Sequence, residues 1–590
     1  MENANDSWQS AALAWLVAPR QERFPAELVD AMAAANSVEI EQFLGLILAN
    51  FDDLPFRPDT GQTFSNTDRD ATGPHASAET LELAGDALGS QADNHSDETR
   101  SDETRSDETG SDQTGSDQTR SEPAAGSGGL HRLRTLLQLT AARALRLRLD
   151  EQDEQDLQPA IDPDSVADLA TELAEHSPLA AAHCLQILAA QGDRESLSVF
   201  CELINRQLLD DEQSVAVALS PLFQWPPPEL ASVFGMIGDD IWRWQLLGPM
   251  LDLAGHSLRK GKLRIHPLAD QRARLRELLS GTVERLARLE ERPQQFGDDV
   301  ASIQRVLNNA VALTVSLCDT VGLVGDVESE GKLNQAMSLS HRRVQTEAAG
   351  ALARLGKPEG KRRLLELAQD PAARLRALAY ADELGLEDPT LTDLRTPYAI
   401  AEAEAVAWLA DRERFGIPPA DLELIDERVQ YWPSFEDPQN CFLWRFTYHF
   451  SQGDLSNIII AGPMVAAFQA DLRSMEIDDI YGLFAGWQAE HEEIYEVPSA
   501  QFNTAQRAEC DRLLKELGAQ GIESLRALAL TFFFGERAVL GVGWRAGQMV
   551  CAVSDNIESL VYPIENRPTS LTPELILALY RGKKLLRTFN

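Results

Sequence analysis

Among 590 residues the chain has only six cysteines and ten histidines, and aromatic residues make up 7%. Cys184, Cys201, Cys318, Cys441, Cys510 and Cys551 are scattered, and no two stand at C-x-x-C spacing. That excludes thiol zinc knuckles and a disulfide framework, and leaves six small core residues of a reducing compartment. Positive charge is scarce too: 53 Lys and Arg face 93 Asp and Glu, for a formal charge of -40. Residues 59–129 hold sixteen acids and four bases, so -12 sits there and -28 is spread over the rest. An acidic surface repels phosphate backbones, so general nucleic-acid binding is disfavoured. Long apolar runs are lacking as well. The best candidate, 310–325, falls short of a full span, contains Asp319 and follows Asn308-Asn309, so it reads as a buried core helix. The start, MENANDSWQS, is acidic where a secretory leader would be basic. The expectation is a cytoplasmic protein with no membrane span.

The usual catalytic patterns are missing. Gly255 to Gly261-Lys262 and Gly325 to Gly331-Lys332 each carry one residue too many between the glycines for a phosphate loop, and Leu263 and Leu333 replace the hydroxyl that would reach magnesium. Gly541 and Gly543 lie within a predicted strand, where they suit a bulge or close packing rather than a pyrophosphate turn. His491-Glu492 would need a second histidine at 495, which is Tyr495; a solvated acidic helix end explains it better. His176, His183 and Cys184 make no nucleophile pair, because His183 and Cys184 point to different sides of a helix. No G-x-S-x-G elbow is present.

What is present is helical periodicity. Residues 1–57 read as two or three helices, with apolar stripes around Ala11 and Trp15 and at Ile40, Phe43, Leu44 and Ile47. From 58 to 129 the pattern stops. A pentapeptide array, SDETR, SDETR, SDETG, SDQTG, SDQTR, runs from Ser96 to Arg120 without one apolar residue. Such a segment cannot offset the entropy of ordering, so it reads as a disordered acidic linker. Residues 130–430 are helical almost throughout. They open on an amphipathic helix whose basic face carries Arg132, Arg134, Arg143, Arg146 and Arg148, and breaks fall at the prolines 226–228, at Gly248-Pro249 and at Gly261. A second basic stretch holds Arg259, Lys260, Lys262, Arg264, Arg272, Arg274 and Arg276; a solvated helix face is its plain reading, and a grip on an acidic segment its alternative.

The clearest unit is 344–370. Val344, Ala348, Ala351, Leu352 and Leu355 form one face of a first helix, Gly356 stops it where a left-handed cap needs glycine, and Pro358 opens a second helix. Leu364, Leu365 and Ala368 are its buried side, and Asp370-Pro371 turns the chain into 373–385, closed by Gly385. The segment ending at Gly192-Asp193 has the same grammar. The run V-x-x-x-A-A-x-A-L-x-x-L-G resembles the HEAT-like repeats, in particular the short type shared with phycobilisome lyases. It covers 343–386 well and 179–205 more weakly. The resemblance implies an α-solenoid of helix pairs used as a protein-binding surface, since one pair cannot bury its apolar face alone. Deoxyhypusine hydroxylases share that architecture but bind iron through several His-Glu pairs, of which this chain has only His491-Glu492, outside the repeats. HEAT-like DNA glycosylases would want a basic groove. Of the lyases only structural positions match, which leaves a lyase-like chromophore chaperone as a remote alternative.

After 430 the style changes. WRFTYHF reads equally as strand or helix, helices are expected near 463–474, 478–493 and 504–520, and 537–544 with 548–554 make a hairpin across a three-residue loop, Arg545-Ala546-Gly547. Residues 559–564 suit a third strand, and Thr572-Pro573 opens a last helix. The expected fold is therefore mainly α: an N-terminal helical segment (1–57), the acidic linker (58–129), a HEAT-like repeat domain (130–430) and an α+β domain (431–590). The expected function is a non-enzymatic protein-interaction scaffold, with the partner and the oligomeric state unassigned. The alternative is that the last domain is an enzymatic or small-ligand module, which a pocket near Tyr448, His449, Trp487 and Arg545 would mark. On the repeat's exposed side Arg362, Glu366 and Gln369 lie a helical turn apart, the expected partner-facing ridge. No catalytic, cofactor-binding or metal-ligating residue is assigned, and no cofactor is expected.

Overall fold

The computed structural model describes residues 8–17, 25–51, 127–150 and 161–590, apart from 225, 298, 412–413, 451–452, 490–493, 534–535, 556, 566 and 568. The linker residues 58–126 and His491-Glu492 lie outside the described residues; 127–129 are instead the first turn of a helix. Two compact units are present. Among the described residues the first runs to Leu339 and includes Arg354–Lys357, and the second is Ser340–Ala353 with Pro358–Asn590. The division therefore falls near 340, where 430 was expected.

The first unit is helical. Its elements are α1 (Trp8–Val17), α2 (Ala26–Ala34), α3 (Ser37–Ala49), α4 (Ser127–Asp150), α5 (Pro163–Ala174), α6 (Pro178–Gln191), α7 (Arg194–Asn205), α8 (Glu212–Gln224), α9 (Leu230–Ile237), α10 (Trp244–Arg259), α11 (Arg272–Glu291), α12 (Val300–Leu323) and α13 (Glu330–Met337). α6 is its centre: every residue from Ala180 to Leu185 and from Ile187 to Gln191 is buried. Its alanines let α4, α5 and α8 pack around it. Ser177 caps its start on the Ala180 N–H. Gly192, at φ +66°, ends it, and Asp193 at once caps α7. The break expected at Gly248-Pro249 does not occur: Pro249 is the sixth residue of α10 and the helix continues through it.

Three arginines of the basic face expected on α4 are engaged inside the unit, while Arg146 is exposed. Arg132 donates to the Trp15 carbonyl at 2.8 Å and lies over that indole, Arg143 donates to the Ala35 carbonyl at 2.7 Å, and Arg148 donates to the Gln191 carbonyl at 2.6 Å. These carbonyls end α1, α2 and α6. The last carbonyls of a helix lack partners and carry its negative end, so a guanidinium there satisfies both needs. The same contacts dock the N-terminal helices on α4. Arg243 repeats the device on the Ile204 carbonyl of α7, at 2.5 Å.

The apolar run 310–325 is mostly within α12. Among the described residues α12 alone is long and apolar enough to cross a membrane, and 56% of that window is buried. Its Asp319 is paired with Arg259 and with Arg354, the latter at 3.2 Å.

The second unit begins with α14 (Arg342–Arg354), α15 (Pro358–Leu367), α16 (Pro371–Glu383), α17 (Pro389–Leu394) and α18 (Pro397–Leu409). Asp370, Asp388 and Thr396 each cap a helix that starts with proline. Strands then start at Asp421, inside the stretch expected to be helical. They are β1 (Asp421–Gln430), β2 (Gln439–Phe450), β3 (Gly453–Ala461) and β4 (Ala466–Ala467), followed by α19 (Ile477–Gln488). After β5 (Ile494–Pro498) come α20 (Thr504–Ala519), β6 (Glu523–Phe533), β7 (Glu536–Arg545), β8 (Gln548–Ser554), β9 (Ser559–Pro563) and α21 (Pro573–Phe589). Both sheets are antiparallel and sequential, in the orders β1-β2-β3-β4 and β5-β6-β7-β8-β9.

The order helix, four-stranded meander, helix thus occurs twice, as α18-β1-β2-β3-β4-α19 and as α20-β6-β7-β8-β9-α21. One face of each sheet covers its leading helix. Phe442, Trp444, Phe446 and Tyr448 pack on Ala401, Ala405 and Leu409 of α18, while Val539, Val550 and Ala552 pack on Cys510, Leu513 and Leu517 of α20. The opposite faces share one core. Cys441, Leu443, Ile458 and Ile460 of the first sheet, and Ala538, Leu540, Cys551 and Val553 of the second, enclose α19 and α21. Those two helices meet backbone to backbone. A Cβ on Gly486 would strike the Ala578 carbonyl and come within 2.7 Å of the Gly582 nitrogen; one on Gly582 would strike the Gly482 carbonyl. Small residues four apart on both helices permit this approach.

Two local expectations change. The hairpin loop has two residues, Ala546 and Gly547, both at positive φ (51° and 80°), because Arg545 pairs with Gln548. Positive φ at both positions is the turn whose twist matches that of the strands. Residues 463–474 form no helix. The buried Asn457 amide donates to the carbonyls of Phe468 and Ala470, at 2.9 Å each, and accepts the Leu472 N–H at 3.1 Å. The groups that would close a helix there are bonded to β3 instead.

Candidate interaction surface

α14 is the inner member of the helix pair, with Val344 to Ala353 buried. Its polar residues are held from α16: Arg376 forks the buried Glu347 at 2.6 and 3.1 Å, the Tyr380 hydroxyl donates to the same carboxylate, and the Tyr380 ring lies flat on Gly350. Only glycine fits at 350, since a Cβ there would strike that ring. Arg374, also buried, donates to the carbonyls of Ala368, Gln369 and Ala399 and to Glu402. Gly356 (φ +80°) and Gly385 (φ +60°) end α14 and close the segment after α16 as expected from their left-handed role.

α15 is the outer member. Leu364, Leu367 and Ala368 are buried, so the buried side includes Leu367, while Leu365 is only half-buried. Arg362, Glu366 and Gln369 are all exposed, on the side expected. The Arg362 and Glu366 side chains are 75% and 51% accessible and 3.9 Å apart. An exposed pair one turn apart stabilises the helix by only about 0.3–0.5 kcal/mol. Glu366 also meets Arg363 at 2.8 Å, and Arg363 donates to Gln345 of α14 at 2.9 Å. The ridge is thus anchored at one point and otherwise open.

The residues named for a ligand pocket are not brought together. Tyr448 is buried against α18 and donates to the Ile417 carbonyl at 2.8 Å. His449, on the other face of β2, pairs with Asp454 at 2.8 Å. Trp487 stands edge-on to Phe468, and Arg545 ends β7 at the hairpin. Two shallow openings occur elsewhere in this unit. One, of about 380 Å³, is bounded by Arg445, Ser456, Asp471, Arg473 and Ser474. Its guanidinium groups are engaged: Arg445 by Glu423 at 3.0 Å, and Arg473 by Asp471 at 2.7 Å, which holds the Asp471 carboxyl below its ordinary range. The other, of about 730 Å³, lies between Ala381 and Arg395 and is lined by Asp382, Glu387 and Asp388.

The near-miss glycines have local backbone roles: Gly261 and Gly325 each take φ +69° after a helix. Gly255 is inside α10 against Asp319 and Leu323, and Gly331 is inside α13. Gly541 and Gly543 face the bulged stretch of β6 between Glu523 and Ala529; a Cβ on Gly543 would come within 2.8 Å of the Glu523 carbonyl. All six cysteines are buried and none is in a disulfide. Burial pushes the thiols of Cys184, Cys201, Cys441 and Cys551 up to about 12, away from nucleophilic use. Among the described residues no group of three or more His, Cys, Asp or Glu side chains is placed to hold a metal. Compared with protein-family models, with curated proteins and with solved structures, the chain matches none.

Proposed function

We propose that this chain is a protein-interaction scaffold, that α6–α7 and α14–α15 are HEAT-like helix pairs of a repeat solenoid, and that the ridge of Arg362, Glu366 and Gln369 meets the partner. The observation that carries the reading is the contrast within one pair. The inner helix has its buried Glu347 tied by the Arg376 ion pair and the Tyr380 hydroxyl. The outer helix presents charged side chains that contribute little to stability and so are free to serve recognition. A rigid scaffold with an adaptable polar face is how a docking surface keeps its shape at small ordering cost. The test is co-purification of the full-length chain from its native host beside an Arg362→Ala, Glu366→Ala, Gln369→Ala variant. The expected result is a specific partner retained by the parent chain and lost by the variant, with unfolding midpoints equal within about 0.5 kcal/mol. A parent chain that recovers no specific partner, or a variant that keeps it, overturns the reading.

A further inference from the structure

The two helix-meander-helix halves of the second unit differ at one sheet edge. In the second half the first strand of the meander, β6, is covered: β5 pairs along it antiparallel from Ile494↔Phe533 to Pro498↔Ala529. In the first half the equivalent strand, β1, is an edge. β1 is ten residues long, about 33 Å of extended backbone. Among the described residues, 421–430 make no backbone hydrogen bond outside the pairing with β2. An edge of that length turns about half its N–H and C=O groups outward as a template for another strand. Its side chains are acidic. Asp421, Glu423 and Glu427 are exposed, and 421–430 carry four acids against Arg428.

We propose that the β1 edge is a docking site for an extended segment of a partner protein, added antiparallel or parallel as a fifth strand, with lysine or arginine at alternate positions. The covered edge of β6 supplies the internal precedent, since the same architecture completes its sheet with a short extended segment. Charge chooses the occupant. Two copies of β1 would bring net -3 against net -3, whereas a strand with its basic residues on one side sets them beside Asp421 and Glu423, which share a side of the sheet across from Thr447 and Arg445, as its backbone pairs. The Leu424/Asp426 bulge and the charges guard the edge against indiscriminate pairing. This site is separate from the α15 ridge, so either proposal can fail without the other.

The test uses the full-length chain and two synthetic probes of equal charge, acetyl-Lys-Val-Lys-Val-Lys-Val-Lys-amide and acetyl-Lys-Lys-Pro-Pro-Pro-Lys-Lys-amide. The proline probe has the charge, but its three consecutive prolines leave no central donor on either edge for a strand ladder. Amide exchange followed by mass spectrometry should show residues 421–430 slowed about tenfold by the valine probe and unchanged by the proline probe. Asp421→Lys with Glu423→Lys should weaken binding of the valine probe about tenfold. Equal binding of both probes, which would signal surface attraction alone, overturns the proposal. So does protection that falls elsewhere than 421–430. Protection at 421–430 that rises with protein concentration before any probe is added, together with a doubled mass, also overturns it in favour of a second copy.

Discussion

Replacing Gly486 with alanine puts the α19–α21 contact to the test. The new methyl meets backbone only, the Ala578 carbonyl and the Gly582 nitrogen at 2.7 Å, so no change of rotamer relieves it. Ordinary van der Waals separation is about 3.5 Å, and recovering it requires the helices to part. Both sit in one core between two sheets, so parting them opens gaps against Leu443, Ile460, Leu540 and Val553. Overpacking costs about 1–3 kcal/mol, more where backbone must move, and alanine returns about 1 kcal/mol of helix propensity. At the upper end of that range, because only backbone can yield, the expected net loss is about 2 kcal/mol. Gly518 is the control: it lies in α20, is exposed, and has nothing within 4 Å of its Cβ position. Gly518→Ala should stabilise by about 0.5–1 kcal/mol. Because the chain has two compact units, one unfolding midpoint does not report one event. Urea unfolding should therefore be read beside amide exchange of 477–488 and 573–589. Gly486→Ala with unchanged or stronger protection than the parent would refute the close approach.

Three further outcomes follow from the geometry. Arg143→Met removes the guanidinium from the end of α2, and amides of 26–49 should exchange as if that segment were about 1–2 kcal/mol easier to open; unchanged exchange would show the contact idle. Gly356→Ala places a side chain at φ +80° and should cost about 1 kcal/mol, against no cost if the turn relaxes. Burial pushes the imidazoles of His183 and His266 down to about 4 from the ordinary 6.5, and Asp319 lifts His266 only in part. Both folded values lie below the unfolded one. Their contribution is therefore complete above pH 6.5 and drains as the pH falls toward 4, at about 2 kcal/mol per histidine by pH 5. A His183→Gln, His266→Gln chain should lose that dependence between pH 7 and 5 in urea unfolding, and an unchanged slope would refute the assignment.

Much of the helical part was legible because it rests on local signals. Gly192, Gly356 and Gly385 all adopt positive φ, and the Asp370-Pro371 turn opens a helix, as spacing alone requires. The exposure of Arg362 and Glu366 was legible for the same reason, since period 3.6 decides which side of a packed helix is wet, whereas Gln369 lies in the turn after α15. What failed depends on distant partners. The arginines of α4 looked like a solvated stripe, because nothing nearby in sequence announces that the carbonyls ending α1, α2 and α6 lie within reach. Residues 463–474 looked helical because their composition is; Asn457 holds them otherwise. The strand β1 was missed because Asp421–Gln430 alternates poorly, and the bulge after Leu424 shifts the period within it.

The doubling in the second unit was illegible for an instructive reason. Counting back from each hairpin turn sets His449 beside Trp544, Arg445 beside Leu540 and Leu443 beside Ala538, and from the other strand Asp454 beside Met549 and Ser456 beside Cys551. Almost no identity survives. The fold demands only that alternate residues face alternate layers and that the two central helices keep small residues where their backbones touch. The second demand left the one readable mark: Gly482 and Gly486 stand to α19 as Ala578 and Gly582 stand to α21. Where the halves had freedom, at the outer end of the shared face, one became charged around Arg445 and His449. The other kept Leu540 buried and ends on exposed Trp544 and Met549. Where they had an edge strand, one covered it with β5 and the other left the ten residues of β1, four of them acidic, open. Differences that packing does not require are the places where selection for binding can act, and they lie at the ends and edges of the meanders, outside the shared core that α19 and α21 fill.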